Sequence, residues 1–175
     1  MNMTVSRMNK AFTLLELVVV LGIIGVIATV GAASFRSTID DTRTARAETD
    51  LKDVKKGIES ARVRSGQLFG QITGNYCSFC GACNTGTDLR NVPASNACMV
   101  RWMNVINRVS AAGYGDITKY TRDPWGSPYV VDENDGEYVA TPCRQDWIRS
   151  VGPDGIYATG DDIIMYLATY HPSCS

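Results

Sequence analysis

Lys10-Ala11-Phe12-Thr13-Leu14-Leu15-Glu16-Leu17 opens a run that carries no charge from Leu17 to Phe35, LVVVLGIIGVIATVGAASF. At a helical rise of about 1.5 Å per residue, a run of this length spans roughly 28 Å, close to the hydrocarbon core of a bilayer. Its β-branched residues do not make it a strand. A lone strand in lipid leaves its backbone groups unpaired, and a helix does not. A cleaved secretory signal fits poorly, because its apolar region is usually shorter and Glu16 stands at the entrance of this one. Arg7 and Lys10 precede the run with no acid among residues 1–11, so the N-terminus stays in the cytoplasm and the chain beyond Arg36 lies outside it.

Glu16 is an ionisable group at the edge of an apolar helix, costly without a partner and therefore a functional candidate. The string Phe12-Thr13-Leu14-Leu15-Glu16, the basic leader and the apolar run together resemble the type IV pilin and type II secretion pseudopilin family. The resemblance implies that a prepilin peptidase cuts between Ala11 and Phe12 and N-methylates Phe12. Ala11 stands where the family usually has Gly. It also implies that the new amine of Phe12 meets Glu16 of a neighbouring subunit in a helical homopolymer. The pair is strong in Coulomb terms, and desolvation offsets much of it, so its main effect is on register. The plain alternative is a helix-entry acid near the N-terminal dipole.

The helix is expected to continue to Ser65. Ala47, Leu51, Val54, Ile58 and Ala61 recur at alternating steps of four and three, an apolar stripe on one face. The charges between them, including Asp50, Lys52, Lys55 and Glu59, read as a solvated face, with Lys55 and Glu59 spaced to pair. Residues 1–11 are thus a leader, 12–35 a transmembrane or filament-core helix and 36–65 its amphipathic continuation.

Residues 66–115 read as a variable, turn-rich region with a short helix over 98–113. Cys77, Cys80 and Cys83 form a Cys-x-x-Cys-x-x-Cys run, followed by Cys98. Three thiolates at that spacing suit a soft metal, but no fourth ligand follows closely. A location outside the cytoplasm favours disulfides instead. With Cys143 and Cys174 the count is six, which allows 15 pairings that the sequence leaves open. Cys143 with Cys174 is the pairing preferred here, since it pins the C-terminal tail.

From residue 116 to 175 the pattern becomes strands and turns. Tyr129-Val130-Val131, a turn at 132–136 and Glu137-Tyr138-Val139-Ala140 read as a hairpin. Further strands are expected at 147–151 and 163–166. A small antiparallel sheet packed on the helix stripe makes an α+β head. Asp123-Pro-Trp-Gly-Ser-Pro-Tyr129 is a tight turn expected to cover a buried Trp125. It resembles a signature of the major pseudopilins of type II secretion.

Val151-Gly-Pro-Asp154-Gly-Ile-Tyr-Ala-Thr-Gly-Asp161-Asp162-Ile163 offers three carboxylates on a flexible, glycine-containing loop. Hard cations such as calcium take six to eight oxygens, carbonyls included. An Asx-rich surface turn is the alternative. The resemblance implies a calcium site with side chains from Asp154, Asp161 and Asp162, and carbonyls near Val151, Ile156 and Thr159.

Composition narrows the classes. Seventeen Lys and Arg against eighteen Asp and Glu give a net charge of −1 over 175 residues, no electrostatic footprint for nucleic acid. The single histidine, His171, has no evident catalytic partner, and no phosphate-binding loop occurs. No enzyme activity is expected. The resemblance implies a structural subunit held in the bacterial inner membrane with its head in the periplasm. It polymerises with other pseudopilins through an assembly platform and its ATPase to move exported proteins. A pilin or minor pilin of a surface filament is the nearest alternative. A membrane-anchored redox or metal protein using Cys77, Cys80 and Cys83 is the alternative from another class.

Overall fold

The computed structural model describes residues 13–84 and 86–174, without the side chains of residues 28–37. The leader and the processing pair Ala11 and Phe12 lie outside the described residues. The chain divides into two compact units, Met1–Asp41 and Thr42–Ser175. One helix, α1 (Leu14–Ser65), contributes to both.

In the first unit the described large apolar side chains of α1, Leu14 to Ile27, are exposed on every side of the helix. Leu14 is 82% exposed and Ile27 65%. Among the described residues no helix is long and apolar enough to cross a membrane. The second half of the charge-free run falls where side chains are not described.

The second unit is an α+β head. Ala47, Leu51, Val54, Ile58 and Ala61 of α1 are all fully buried, as a heptad-like stripe on a helix facing one core must be. A five-residue helix, α2 (Phe69–Thr73), and a longer one, α3 (Ala97–Ala112), pack with them. Asn96 caps α3, its side chain accepting from the backbone N–H of Cys98 at 2.9 Å. Trp102, Val105, Ile106 and Val109 form the inward face of α3. Fully burying each such side chain contributes about 1.5–3 kcal/mol.

The sheet has three antiparallel strands in the order β1 (Val130–Asp132), β2 (Trp147–Ser150), β3 (Ile163–Tyr166). Val131 pairs with Ile148, and Ile148 with Met165. Val131 and Ile148 join the α1 stripe in one core. This corrects the expected hairpin: residues 137–140 form no strand, and β1 takes β2 as its partner. The reason lies in the segment between. Glu133, Asn134 and Asp135 are buried rather than solvated, and each is held by a distant group. The chain after them folds back on itself, Gly136 N–H donating to Pro142 O at 2.9 Å, and Val139 is left 100% exposed. Ile117–Tyr120 likewise forms a turn, not a strand.

All six cysteines are paired: Cys77 with Cys80, Cys83 with Cys98, and Cys143 with Cys174. The Cys83–Cys98 bridge sits in a second apolar cluster with Ala82, Leu89, Val130 and Val151. Cys143–Cys174 ties the 3-10 turn Pro172–Cys174 to the loop before β2.

Asp50, read as part of a solvated face, acts instead as an anchor, and Asp53 acts in the same way. Tyr129 Oη donates to Asp50 at 3.0 Å and Tyr120 Oη to Asp53 at 2.9 Å. Burial and the Asp50 charge push the Tyr129 hydroxyl up, which keeps it a donor. Arg62 is also buried, its guanidinium on Asp146 with Asp135 at 4.0 Å.

Glu133 is fully buried and accepts from Ser78 N at 2.8 Å and Ser78 Oγ at 2.5 Å. Burial raises its carboxyl to about 7 against the hydrogen bonds from Ser78. From 4.5 to about 7 the folded chain therefore holds a proton that the unfolded chain has lost. Stability is full below that window and falls as pH rises through it, by about 3 kcal/mol. Urea unfolding at pH 5 and pH 8 should show this loss. Glu133→Gln should remove most of it, leaving the part owed to Asp123 and Asp132, which burial raises in the same way. An unchanged pH slope in the variant would contradict the assignment.

Candidate functional site

Two places carry the chemistry singled out in the sequence: the start of α1 and the acidic loop after β2.

At the start of α1, Thr13 is the N-cap. Its Oγ accepts from Glu16 N at 3.3 Å, and Glu16 Oε2 accepts from Thr13 N at 3.1 Å and from Thr13 Oγ at 3.0 Å. This is a reciprocal capping box, which satisfies two of the orphan N–H groups at a helix start. Both bonds to the carboxylate fall on one oxygen, and the group is exposed. Its expected partner, the Phe12 amine, lies outside the described residues.

The acidic loop spans Val151 to Asp162 between β2 and β3. Gly152 starts it at φ 68°, in the left-handed region, with the carbonyl of Asp161 against its Cα. A side chain there would strike that carbonyl, so the residue must be Gly. Asp154 Oδ1 accepts from Ile156 N at 2.7 Å, and Asp161 Oδ2 from Asp154 N at 3.0 Å. Thr159 Oγ donates to Asp161 Oδ1 at 2.6 Å. Burial acts to raise the Asp161 carboxyl, but the bonds from Thr159 and Asp154 outweigh it and hold it below its ordinary value. Val151 is buried at the loop's entrance.

Asp162 is turned to an internal cation. Arg149 on β2 donates to its Oδ2 at 2.5 Å, and Ala158 N donates to the same oxygen at 2.9 Å. The Arg149 guanidinium lies 4.9 Å from the Trp147 ring centre and 4.6 Å from that of Tyr157. A second arginine, Arg90, donates to Pro153 O at 2.7 Å and pairs with Asp88. Leu89 N donates to Gly155 O at 2.9 Å. Segment 88–92 thus braces the loop from outside. Sequence reading missed both arginines, since Arg149 is a strand residue and Arg90 lies in the turn-rich region some sixty positions earlier.

The fit to a cation is partial. The donors are all oxygens, as calcium requires. Asp154 and Asp161 are tied through a single N–H, but Asp162 is engaged by Arg149. Among the described residues no three His, Cys, Asp or Glu side chains are gathered so as to hold a metal ion.

The Asp123–Tyr129 turn packs beside this loop. Asp123 is buried and accepts from Trp125 N at 3.0 Å, Ser127 N at 2.9 Å and Ser150 Oγ at 2.6 Å. Gly126 has φ 99°, and a Cβ there would meet Asn91 Oδ1 at 2.6 Å. Asn91 N donates to Gly126 O at 3.0 Å. Trp125 is half-buried rather than covered, which corrects the sequence expectation. Asp123, not Trp125, is the centre of the turn.

A family model described as the prokaryotic N-terminal methylation motif matches residues 6–32. No curated protein and no solved structure matches the chain. The matched segment contains Phe12, Glu16 and most of the charge-free run. It supports a type IV pilin-like filament subunit, and it implies processing by a prepilin peptidase and polymerisation.

Proposed function

We propose that this chain is a major-pseudopilin-type subunit of a type II secretion filament. One observation carries the reading: the methylation motif leads into a helix whose described apolar side chains, Leu14 to Ile27, all face outward. A helix that is apolar all round is buried in a membrane or in an assembly. On this reading it is stored in the inner membrane and then packed into a filament core, while the α+β head stays in the periplasm. The prepilin peptidase cuts after Ala11 and methylates Phe12. Other pseudopilins, an assembly platform and its ATPase complete the machine. The Asp123–Tyr129 turn and the acidic loop support the secretion pseudopilin over a surface pilin, because they resemble that subgroup's signatures.

Co-expression with a prepilin peptidase should yield a chain that begins at methylated Phe12, read by mass spectrometry. Retention of residues 1–11 would refute the processing. Filaments confined to the periplasm support the secretion reading, and filaments on the cell surface support a pilus.

The same reading assigns calcium to the acidic loop, with Asp154, Asp161 and Asp162 as side-chain ligands and carbonyls near Val151, Ile156 and Thr159. The ion would neutralise Asp154 and Asp161, and Asp162 would join them by leaving Arg149. Calcium should raise the melting temperature of the purified protein by several degrees, and EDTA should reverse the rise. A melting temperature unmoved by either would remove calcium from the account and leave the filament role standing.

A further inference from the structure

Of the three disulfides, Cys77–Cys80 does the least for the fold. It closes a ring with a sequence separation of 3, against 15 for Cys83–Cys98 and 31 for Cys143–Cys174. A bridge constrains the unfolded chain more as its loop lengthens. By linkage, the fold protects a bridge from reduction only as far as the bridge stabilises the fold. Cys83 and Cys98 are also buried, at 3% and 0% exposure, whereas Cys80 and Cys143 are exposed, so against Cys143–Cys174 the short ring is the difference.

The ring is held as a fixed element all the same. Ser78, between the two cysteines, is buried and gripped through its N–H and hydroxyl by Glu133. Arg101 on α3 donates to Cys77 O at 3.1 Å, which places a cation on the backbone of Cys77. A cleft of about 180 Å³ opens next to the bridge; Phe79, Tyr138 and Arg144 line it with the two cysteines, and so do the acids Asp132 and Glu137. An exposed Cys-x-x-Cys ring with a neighbouring cation is the setting in which a thiolate leaves readily and a disulfide is labile.

We propose that the Cys77–Cys80 bridge is a thiol–disulfide exchange site whose substrate is a dithiol. A thiolate of the dithiol enters the cleft and attacks Cys80 Sγ, Cys80 being the more exposed residue of the pair. A bond forms between the two sulfurs, the Cys77–Cys80 bond breaks, and its electron pair leaves on Cys77 Sγ as a thiolate, in the residue whose carbonyl Arg101 holds. The second thiolate of the substrate then attacks the substrate's own sulfur in the mixed disulfide and expels Cys80 as a thiolate. The dithiol ends as a disulfide, having given up two electrons. Cys77 and Cys80 end reduced, with the two protons released by the dithiol. Glu133 acts as a positioning residue that holds Ser78 and, through it, the ring. The proposal is independent of the filament and calcium readings.

The test uses the full-length folded protein in detergent at neutral pH. It is titrated with dithiothreitol and, separately, with a peptide bearing a reduced Cys-x-x-Cys, then alkylated and mapped by mass spectrometry. Cys77 and Cys80 should be alkylated at reductant concentrations at least tenfold below those that open Cys83–Cys98 and Cys143–Cys174. Reaction with the peptide as well as dithiothreitol identifies a polypeptide dithiol as substrate, and reaction with dithiothreitol alone a small one. Opening of the three bridges together, or of Cys77–Cys80 last, overturns the proposal. Glutathione should be trapped as a mixed disulfide on Cys80, and trapping on Cys77 overturns the assignment of the attacked sulfur. Arg101→Gln should slow exchange several-fold at an unchanged melting temperature, and an unchanged rate removes the cation from the account.

Discussion

Glu16→Gln should leave the chain in the membrane and stop it from assembling. The substitution separates the two roles of the residue. Gln keeps an acceptor for Thr13 N and so preserves the capping box at the start of α1, but it carries no charge. After cleavage the amine of Phe12 has an ordinary value of about 7.7–8.0 and is largely protonated at neutral pH. The family resemblance implies that its partner is Glu16 of a neighbouring subunit, since Glu16 Oε2 of its own chain already accepts from Thr13. Removing one member of a buried ion pair costs about 3–5 kcal/mol, because the other is left unpaired. That is more than a hundredfold in a subunit-addition equilibrium. Filament yield from Glu16→Gln should therefore fall to background, measured by shearing and sedimentation, with membrane-fraction levels unchanged. Normal yield would show that Glu16 only caps its own helix.

The second large effect is inside the head. Arg62→Met should destabilise it by about 3–5 kcal/mol in urea unfolding. Arg62 is 1% exposed, and its guanidinium touches Asp146 and, at 4.0 Å, Asp135. Burial works to lower its basicity and the Asp135 charge works against that. Met replaces the stem of the side chain with little change of volume, so the loss reports the charge rather than a cavity. Two buried carboxylates are then left facing each other, and Asp135 also receives the N–H of Tyr170 at 2.5 Å. The variant should lose its C-terminal segment first, since Arg62 also donates to Ala168 O at 2.8 Å. Arg62→Met combined with Asp146→Asn should recover part of the stability. A loss below about 1 kcal/mol in the single variant would mean that water reaches the cluster.

The residues that were legible in the sequence share one property: their partners are set by local periodicity. Ala47, Leu51, Val54, Ile58 and Ala61 repeat at helical steps, and the step alone predicts a common buried face. β2 and β3 were readable from their short apolar runs, β2 to within one residue at its end. What was not legible depends on groups far apart in the chain. Residues 132–136 read as a polar turn because they are acidic. Glu133 is nevertheless buried by Ser78, 55 positions away, and Asp135 by Asp146 and Tyr170. Tyr138 and Val139 have strand-forming side chains but no strand beside them once β1 has paired with β2. In the acidic loop the three aspartates were visible, but not that Arg149 already holds one of them. Charge patterning shows where acids are and not which cation in the fold reaches them.

The bracing of segment 88–92 has a wider consequence. Leu89 N holds Gly155 O, Arg90 holds Pro153 O, Asn91 N holds Gly126 O, and Arg122 donates to Val92 O at 2.5 Å. Five residues from the turn-rich middle of the chain therefore bridge the Trp125 turn and the acidic loop, which Ser150 Oγ already links to Asp123. These parts of the chain should open as one cooperative unit, with their amide hydrogens exchanging together in a hydrogen-exchange measurement. Whatever loosens the acidic loop is felt at the Trp125 turn, and the two motifs that looked separate along the chain behave as a single latch.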